Sequence, residues 1–427
     1  MTFKTSYKVG LALIFCYLVA WLDRMAINMT IPDMAKEFAM DAKDRGWILG
    51  AFFMGYALFQ IPGGMLADRI GPRKVILVAL AWWSVFTAAT GLVASFTSMV
   101  VVRFLFGVGE GIFPAAVWKV IGQWFTKKNR GTANALILSS IALGPALSPP
   151  LLKLLLPEFG WRGSFYALGF AGVLCLLVAW LYVSNSIHEH PQVSREEREE
   201  YERDSHSEAA NAEKTLEKAS FGELLRSPII WVLFFVALIY NVTMYGWLTW
   251  LPSYLLKEKG LDLKNMASAA SVPFIFGTAG CMLAGYVSDR WFRGRRKYLV
   301  FGSQVIGGIC LYQFTQVSDF TTYMIFQCIA GFLLYMAAGA FWTLPMILVP
   351  TKLMGKGSGF INTGGQIGGV LTNILIGYVI TWNNDNYTTG FYVMLGALVV
   401  AALLVLVGIR EQPAAAAVKP SPEPALS

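Results

Sequence analysis

Residues 64–74 read GMLADRIGPRK, and residues 285–297 read GYVSDRWFRGRRK. The second stretch repeats the glycine, the Asp-Arg pair and the basic close of the first, with two residues inserted. Each follows a long apolar run, so the chain reads as two halves with matching loops at matching positions. In helical membrane proteins such repeats pack about a pseudo-two-fold axis, with a site near the midplane between the halves.

Composition says what surrounds those loops. Of 427 residues, 56% belong to the hydrophobic set and 14% are charged, against about 25% charged in a soluble domain; the chain is a polytopic membrane protein. In such a chain the net charge of +8 reports loop topology rather than nucleic-acid binding. The five cysteines, Cys16, Cys175, Cys281, Cys310 and Cys328, lie in apolar segments without metal-ligand spacing. They read as buried small hydrophobes, with neither a disulfide framework nor a zinc site suggested. No phosphate-binding loop motif occurs, which argues against ATP hydrolysis, and nothing in the pattern reads as an enzyme.

Apolar runs of about 20 residues fall at 8–31, 46–67, 75–94, 98–123, 132–155 and 164–184, then at 229–251, 267–287, 298–317, 322–348, 358–382 and 390–409. The expected fold is all-α, with twelve transmembrane helices in two six-helix bundles, 1–184 and 229–409. A charge-rich linker, 185–228, joins them, and the Ala/Pro-rich tail 410–427 is expected to be disordered. Most of the 34 Lys and Arg residues fall in loops and tails on the side of the N-terminus, which puts both termini in the cytoplasm. The first run is too long for a cleaved leader and stays as a helix.

Residues 100–124, VVVRFLFGVGEGIFPAAVWKVIGQW, can cross a bilayer yet carry Arg103, Glu110 and Lys119. Seven residues return Arg103 and Glu110 to nearly one face, roughly 10 Å apart along the axis. A charge near the bilayer centre costs at least ~2.5 kcal/mol, so that face must meet protein or water. Asp23 and Arg24 join these three as the charges deep inside the predicted helices, and all five lie in the first half.

On these residues the chain resembles the major facilitator superfamily, through the GxxxDRxGxRK loop after the second helix and its echo after the eighth. The resemblance implies twelve helices in two bundles and a cytoplasmic latch in which the helix-two Asp, here Asp68, pairs with Arg across the bundles. Within the superfamily, Asp23-Arg24, Arg103, Glu110 with Phe113-Pro114-Ala115, the stretch TWLPSY at 249–254, Trp342 and Asn362 resemble the anion:cation symporters. That family includes bacterial importers of sugar acids such as galactonate, glucarate and hexuronate. The resemblance implies proton-coupled import of a small organic anion across a bacterial cytoplasmic membrane. Ala20-Trp21 replaces the Asn and Tyr that often precede Asp-Arg in sugar-acid carriers, and Trp118-Lys119 stands where several have a small polar residue then Arg. These departures point to a less hydroxylated anion and keep an aromatic or dicarboxylic acid as the runner-up. Gly144-Pro145 is similar to the motif of proton-driven drug or metabolite exporters, but Ser148-Pro149-Pro150 stands where that motif expects glycines. A membrane sensor is the remaining reading, against which stands the lack of a soluble output domain.

Proton-coupled anion import needs a cation for the substrate carboxylate and a carboxyl group whose protonation follows its surroundings. Arginine suits the first task, because its planar fork holds a carboxylate with two bonds and stays charged. Arg24 is therefore the expected principal carboxylate ligand and Arg103 a second substrate-binding residue, with Asp23 beside Arg24 as one proton site and Glu110, coupled to Arg103, as the other. A static ion pair is the competing reading, although burying ions for stability alone compares poorly with apolar packing. Tyr56, one turn from Gln60, is expected to donate a hydrogen bond to substrate or Asp23, with core packing as the alternative. Tyr245, Trp342, Asn362 and Gln366 are expected to form a neutral wall in the second half, interhelical glue being the alternative for Gln366. Asp68, Arg69, Arg73, Asp289 and Arg290 read as gating residues, and Lys119 as an inner-mouth residue or a snorkelling one. His188, His190 and His206 sit in the linker, which leaves no histidine relay and assigns coupling to carboxylates. The coupling ion is H+, with Na+ as the alternative. The expected partners are the anion and the lipid bilayer, with no nucleic acid and no cofactor, and the expected state is a monomer.

Overall fold

A computed structural model describes residues 4–125, 127–212, 221–349 and 354–410. The expected disordered tail beyond residue 410 lies outside the described residues. The first half comprises α1 (Thr5–Glu37), α2 (Ala42–Ile70), α3 (Pro72–Thr90), α4 (Phe96–Trp124) and α5 (Lys127–Tyr182). Two helices follow between the halves, α6 (Arg195–Ala212) and the short α7 (Phe221–Leu225). The second half comprises α8 (Pro228–Lys257), α9 (Leu263–Trp291), α10 (Arg296–Gln316), α11 (Phe320–Phe341), α12 (Thr343–Leu348), α13 (Met354–Trp382) and α14 (Tyr387–Gly408). There is no strand among the described residues.

Local chemistry sets the helix ends. Asp41 and Asp44 exchange side-chain and backbone bonds in a capping box that starts α2 ahead of its apolar run, and Ser95 with Ser98 does the same for α4. Asp262, Asp319 and Asn386 accept backbone N–H groups at the starts of α9, α11 and α14. Pro72 and Pro228 occupy the first turns of α3 and α8, where a missing N–H is harmless. Gly71 makes the tight turn from α2 to α3 at φ 89°, a conformation that favours glycine.

Among the described residues, ten helical stretches are long and apolar enough to cross a membrane. One of them belongs to α5, which joins the fifth and sixth predicted runs and breaks at Gly160 with φ 62°, so it supplies two rods. A further rod is α10, 21 residues long and made more polar by Gln304, Gln313 and Gln316. The described residues thus form an all-α membrane architecture, consistent with the expected twelve helices.

In the first half α1 packs on α5, α2 on α4, and α3 on both α4 and α5. In the second, α8 packs on α13 and α14, α9 on α11, and α10 on α11 and α14. The halves meet where α2 crosses α13 and where α9 crosses α5. These crossings are equivalent under the repeat, for α2 and α9 are the helices that lead into the two matching loops. Close approach in the first crossing lies at the end away from the chain termini, here termed the distal end. There the Lys43 backbone donates to Thr381 Oγ1 at 3.0 Å, and the Arg45 guanidinium donates to the Tyr387 hydroxyl.

Candidate functional site

Asp23 and Arg24 are neighbours on α1, and one residue of helix turns the chain by about 100°. They therefore face different helices. Arg24 points to α4, where its Nε and Nη2 donate to the same Glu110 oxygen, Oε2, at 2.9 and 2.5 Å. Asp23 points to α3 and accepts a hydrogen bond from Thr87 Oγ1. The expected pairing is corrected here: Glu110 is bound to Arg24 across helices, and not to Arg103 along its own helix. Spacing reports which residues share a face of one helix, but not which neighbour stands opposite.

Glycines on α4 make that meeting possible. A Cβ on Gly111 would stand 2.6 Å from the Tyr56 carbonyl oxygen, and one on Gly107 would strike the Phe52 carbonyl. With both absent, α2 and α4 approach closely, and Phe52 and Tyr56 reach the ion pair. The Arg24 Cζ lies 4.3 Å from the centre of the Trp21 ring and 4.9 Å from each of the Phe52 and Tyr56 rings, within cation–π range. Trp21 is held by α5, where a Cβ on Gly144 would collide with it. Arg24 is thus boxed by three rings and tied to one carboxylate.

Arg103 is in a different state. It is 1% exposed, lies 4.5 Å from the Phe106 ring and 5.5 Å from the Phe52 ring, and its Nε and Nη1 have no hydrogen-bond partner. Asp23 and Glu110, 1% and 2% exposed, each keep one oxygen without a partner, Oδ1 and Oε1. Buried polar atoms left in this way cost about 1–3 kcal/mol each, and more when charged.

The opposing wall comes partly together. Tyr245 on α8 packs on Phe53 of α2 at 4.6 Å, and Gln366 Nε2 on α13 donates to its hydroxyl at 3.3 Å. Gln366 Oε1 has no partner. Asn362 lies one turn before Gln366 and is half-buried. Trp342 joins neither group: it marks the break between α11 and α12, 39% exposed, with its ring 5.7 Å from Phe341. Sequence reasoning missed Asn28 and Asn373 at the seam between the halves. Asn28 Nδ2 donates to the Leu248 carbonyl at 3.3 Å while its Oδ1 has no partner, and Thr249 Oγ1 donates to Asn373 Oδ1 at 2.8 Å. Asn28 stands five residues beyond Asp23 in an apolar run, a signal that was available.

The loop residues pair inside their own halves. Lys119 donates to Asp68 Oδ1 and to the Ala67 carbonyl, both at 2.8 Å, so the expected latch from Asp68 to an arginine across the bundles is replaced by a bond between α2 and α4. Arg73 donates to the Trp180 carbonyl at 3.0 Å, and Asp289 pairs with Arg296 at 2.5 Å. Arg69 and Arg290 are exposed.

Comparison with known proteins places this geometry. A probable sulfoacetate transporter of Cupriavidus necator is 30% identical, covering 94% of this chain and 93% of the relative. The hexuronate transporter of Bacillus subtilis is 28% identical over 95% and 94%. Among solved structures, an inward-facing, occupied bacterial homologue of the human lysosomal transporter Spinster superposes with a TM-score of 0.75 at 19% identity, covering 93% of this chain and 95% of that one. Residues 13–373 match the profile of the Major Facilitator Superfamily, which spans most of the chain and runs through both halves of the charged and neutral walls; the chain belongs to that superfamily.

Proposed function

We propose that this chain is a secondary transporter that carries a small organic anion, a hydroxylated carboxylate such as a sugar acid, into the cytoplasm together with protons. The protein is a multi-pass membrane transporter, not an enzyme, homologous to carriers of sugar acids and other organic anions. The observation that carries the finer reading is the buried Arg103 guanidinium, whose Nε and Nη1 have no hydrogen-bond partner. Those donors suit a carboxylate, and the partnerless oxygens of Glu110, Asp23 and Gln366 suit hydroxyl donors. Arg103 therefore takes the receiving role first expected of Arg24.

Coupling follows from the Arg24–Glu110 bond. Protonating Glu110 removes the charge that holds Arg24, and the site gains a second free cation for the anion; Asp23 is the other proton site. Delivery, deprotonation and return then follow by alternating access of the two halves. A dianion is the second reading, favoured by the presence of two buried guanidiniums, and one relative is named for sulfoacetate, which has an anionic group at each end. Both termini are cytoplasmic in this reading, the membrane is a bacterial inner membrane, and the unit is a monomer.

The test uses Glu110→Gln in proteoliposomes. The variant should exchange labelled substrate across the membrane at a rate near wild type and fail to accumulate it under a pH gradient. Normal accumulation by Glu110→Gln would remove Glu110 from coupling.

A further inference from the structure

We propose that residues 184–200 form a strap tying together the three helices that bear the charged cluster, and that His190, in the strap's seam, releases it when the adjacent solution turns acid. The strap reaches each helix through a different bond. Glu197 accepts the backbone N–H of Thr5 at 3.0 Å and of Ser6 at 2.9 Å, and α1 has no side-chain cap of its own. A carboxylate there satisfies first-turn donors and opposes the positive end of the helix dipole. Thr5 Oγ1 donates to the Gln192 carbonyl at 3.0 Å, and Lys4 pairs with Glu200 at 2.6 Å. Asn185 Oδ1 accepts the Arg73 N–H in the first turn of α3 at 3.1 Å, and it stands 2.7 Å from where a Cβ on Gly71 would project. The Ser184 carbonyl accepts the indole N–H of Trp124, the last residue of α4, at 3.0 Å. Along these helices lie Asp23 and Arg24 on α1, Thr87 on α3, and Arg103 and Glu110 on α4.

His190 is 5% exposed. Its ring meets Trp124 edge-on with centres 5.5 Å apart, and its Nδ1 accepts the Gln192 N–H at 3.2 Å, which requires that nitrogen to be unprotonated. The charged groups around it are Arg73 of α3, Lys8 of α1 and Glu197 of α6, with the backbone at Tyr182 on the end of α5. Burial first, then Arg73 and Lys8, hold its pKa below the ordinary value of 6.5, against Glu197 and the Tyr182 backbone. Protonation would set an N–H against the Gln192 N–H and a third positive charge beside two cations. A group whose pKa is lowered in the docked form leaves docking unaffected above its ordinary pKa and weakens it as pH falls through that value. The strap is therefore fastened at neutral pH and loosened below about 6.5.

The test needs neither substrate nor membrane orientation, so its outcome is independent of the proposed transport cycle. Spin labels are placed at Glu196→Cys and Lys74→Cys, both exposed positions, in full-length protein whose native cysteines are replaced by Ala. At pH 8 the pair should give one short distance. At pH 5.5 a longer distance should appear and grow severalfold in population. His190→Gln should keep the short distance at both pH values, and His190→Arg should show the longer one already at pH 8. The proposal is overturned if wild type gives the same distances at both pH values, if His190→Gln opens in parallel with wild type, or if His190→Arg stays docked.

Discussion

At the residue scale, how the buried charges pair decides which of them is available. Both Arg24 bonds go to one oxygen of Glu110, whereas two Arg103 donors have no partner. Removing Arg24 strands a buried carboxylate, and breaking such a pair costs about 3–5 kcal/mol. Arg24→Gln should therefore lower the melting temperature, and adding Glu110→Gln should restore most of it. Arg103→Gln breaks no bond from Nε or Nη1, so its main loss should fall on binding. Charge-assisted hydrogen bonds contribute about 1.5–3 kcal/mol, which corresponds to an affinity loss of about 10- to 100-fold. Thermal unfolding with and without substrate separates the two effects, and an affinity loss confined to Arg24→Gln would reverse the assigned roles. The four charges were legible in the sequence because hydrocarbon excludes ions without a purpose. Their pairing was not, since it depends on how neighbouring helices rotate. Thr87 was invisible for a related reason: a threonine in an apolar helix becomes informative only when α3 is seen to bring it against Asp23.

At the scale of elements, α2 and α4 show how the cluster is built. Gly107 and Gly111 of α4 set the separation from α2 that lets Phe52 and Tyr56 cover Arg24. Gly111→Ala would place its Cβ 2.6 Å from the Tyr56 carbonyl oxygen. Backbone cannot yield as a flexible side chain can, and overpacking of this kind costs about 1–3 kcal/mol. The expected outcome is a lower melting temperature and slower uptake. Gly302→Ala, with open space around its Cβ, should change neither. Equal effects in the two variants would attribute the loss to glycine chemistry in general and not to the helix crossing. The existence of most elements was legible because each is a long apolar run. Their ends were less so, because capping by Asp41 or Ser95 extends a helix beyond its apolar part, and because α5 continues through the polar stretch up to Gly160.

At the scale of the whole molecule, the division into two halves was written in the repeated loop, but the end at which they meet was not. Conformational states of a carrier differ by a few kcal/mol, and that difference arises from contacts between helices of separate halves, which no local motif encodes. Here Arg45 and Lys43 of the first half bond Tyr387 and Thr381 of the second at the distal end, while Asp68 and Asp289 at the other end pair within their own halves. The crossing of α2 and α13 is close enough that a Cβ on Gly377 would stand 2.6 Å from the Ala42 carbonyl oxygen. Gly377→Val should therefore hold the distal end apart. Spin labels at Lys43→Cys and Trp382→Cys report the gap: wild type should give a short distance, Gly377→Val a longer one, and Gly302→Val the wild-type value. In the proposed cycle the distal end must both open and close, so Gly377→Val should still bind the proposed anion and fail to deliver it. A short distance in Gly377→Val, or delivery at the normal rate with a long one, would show that closure resides elsewhere than in this crossing.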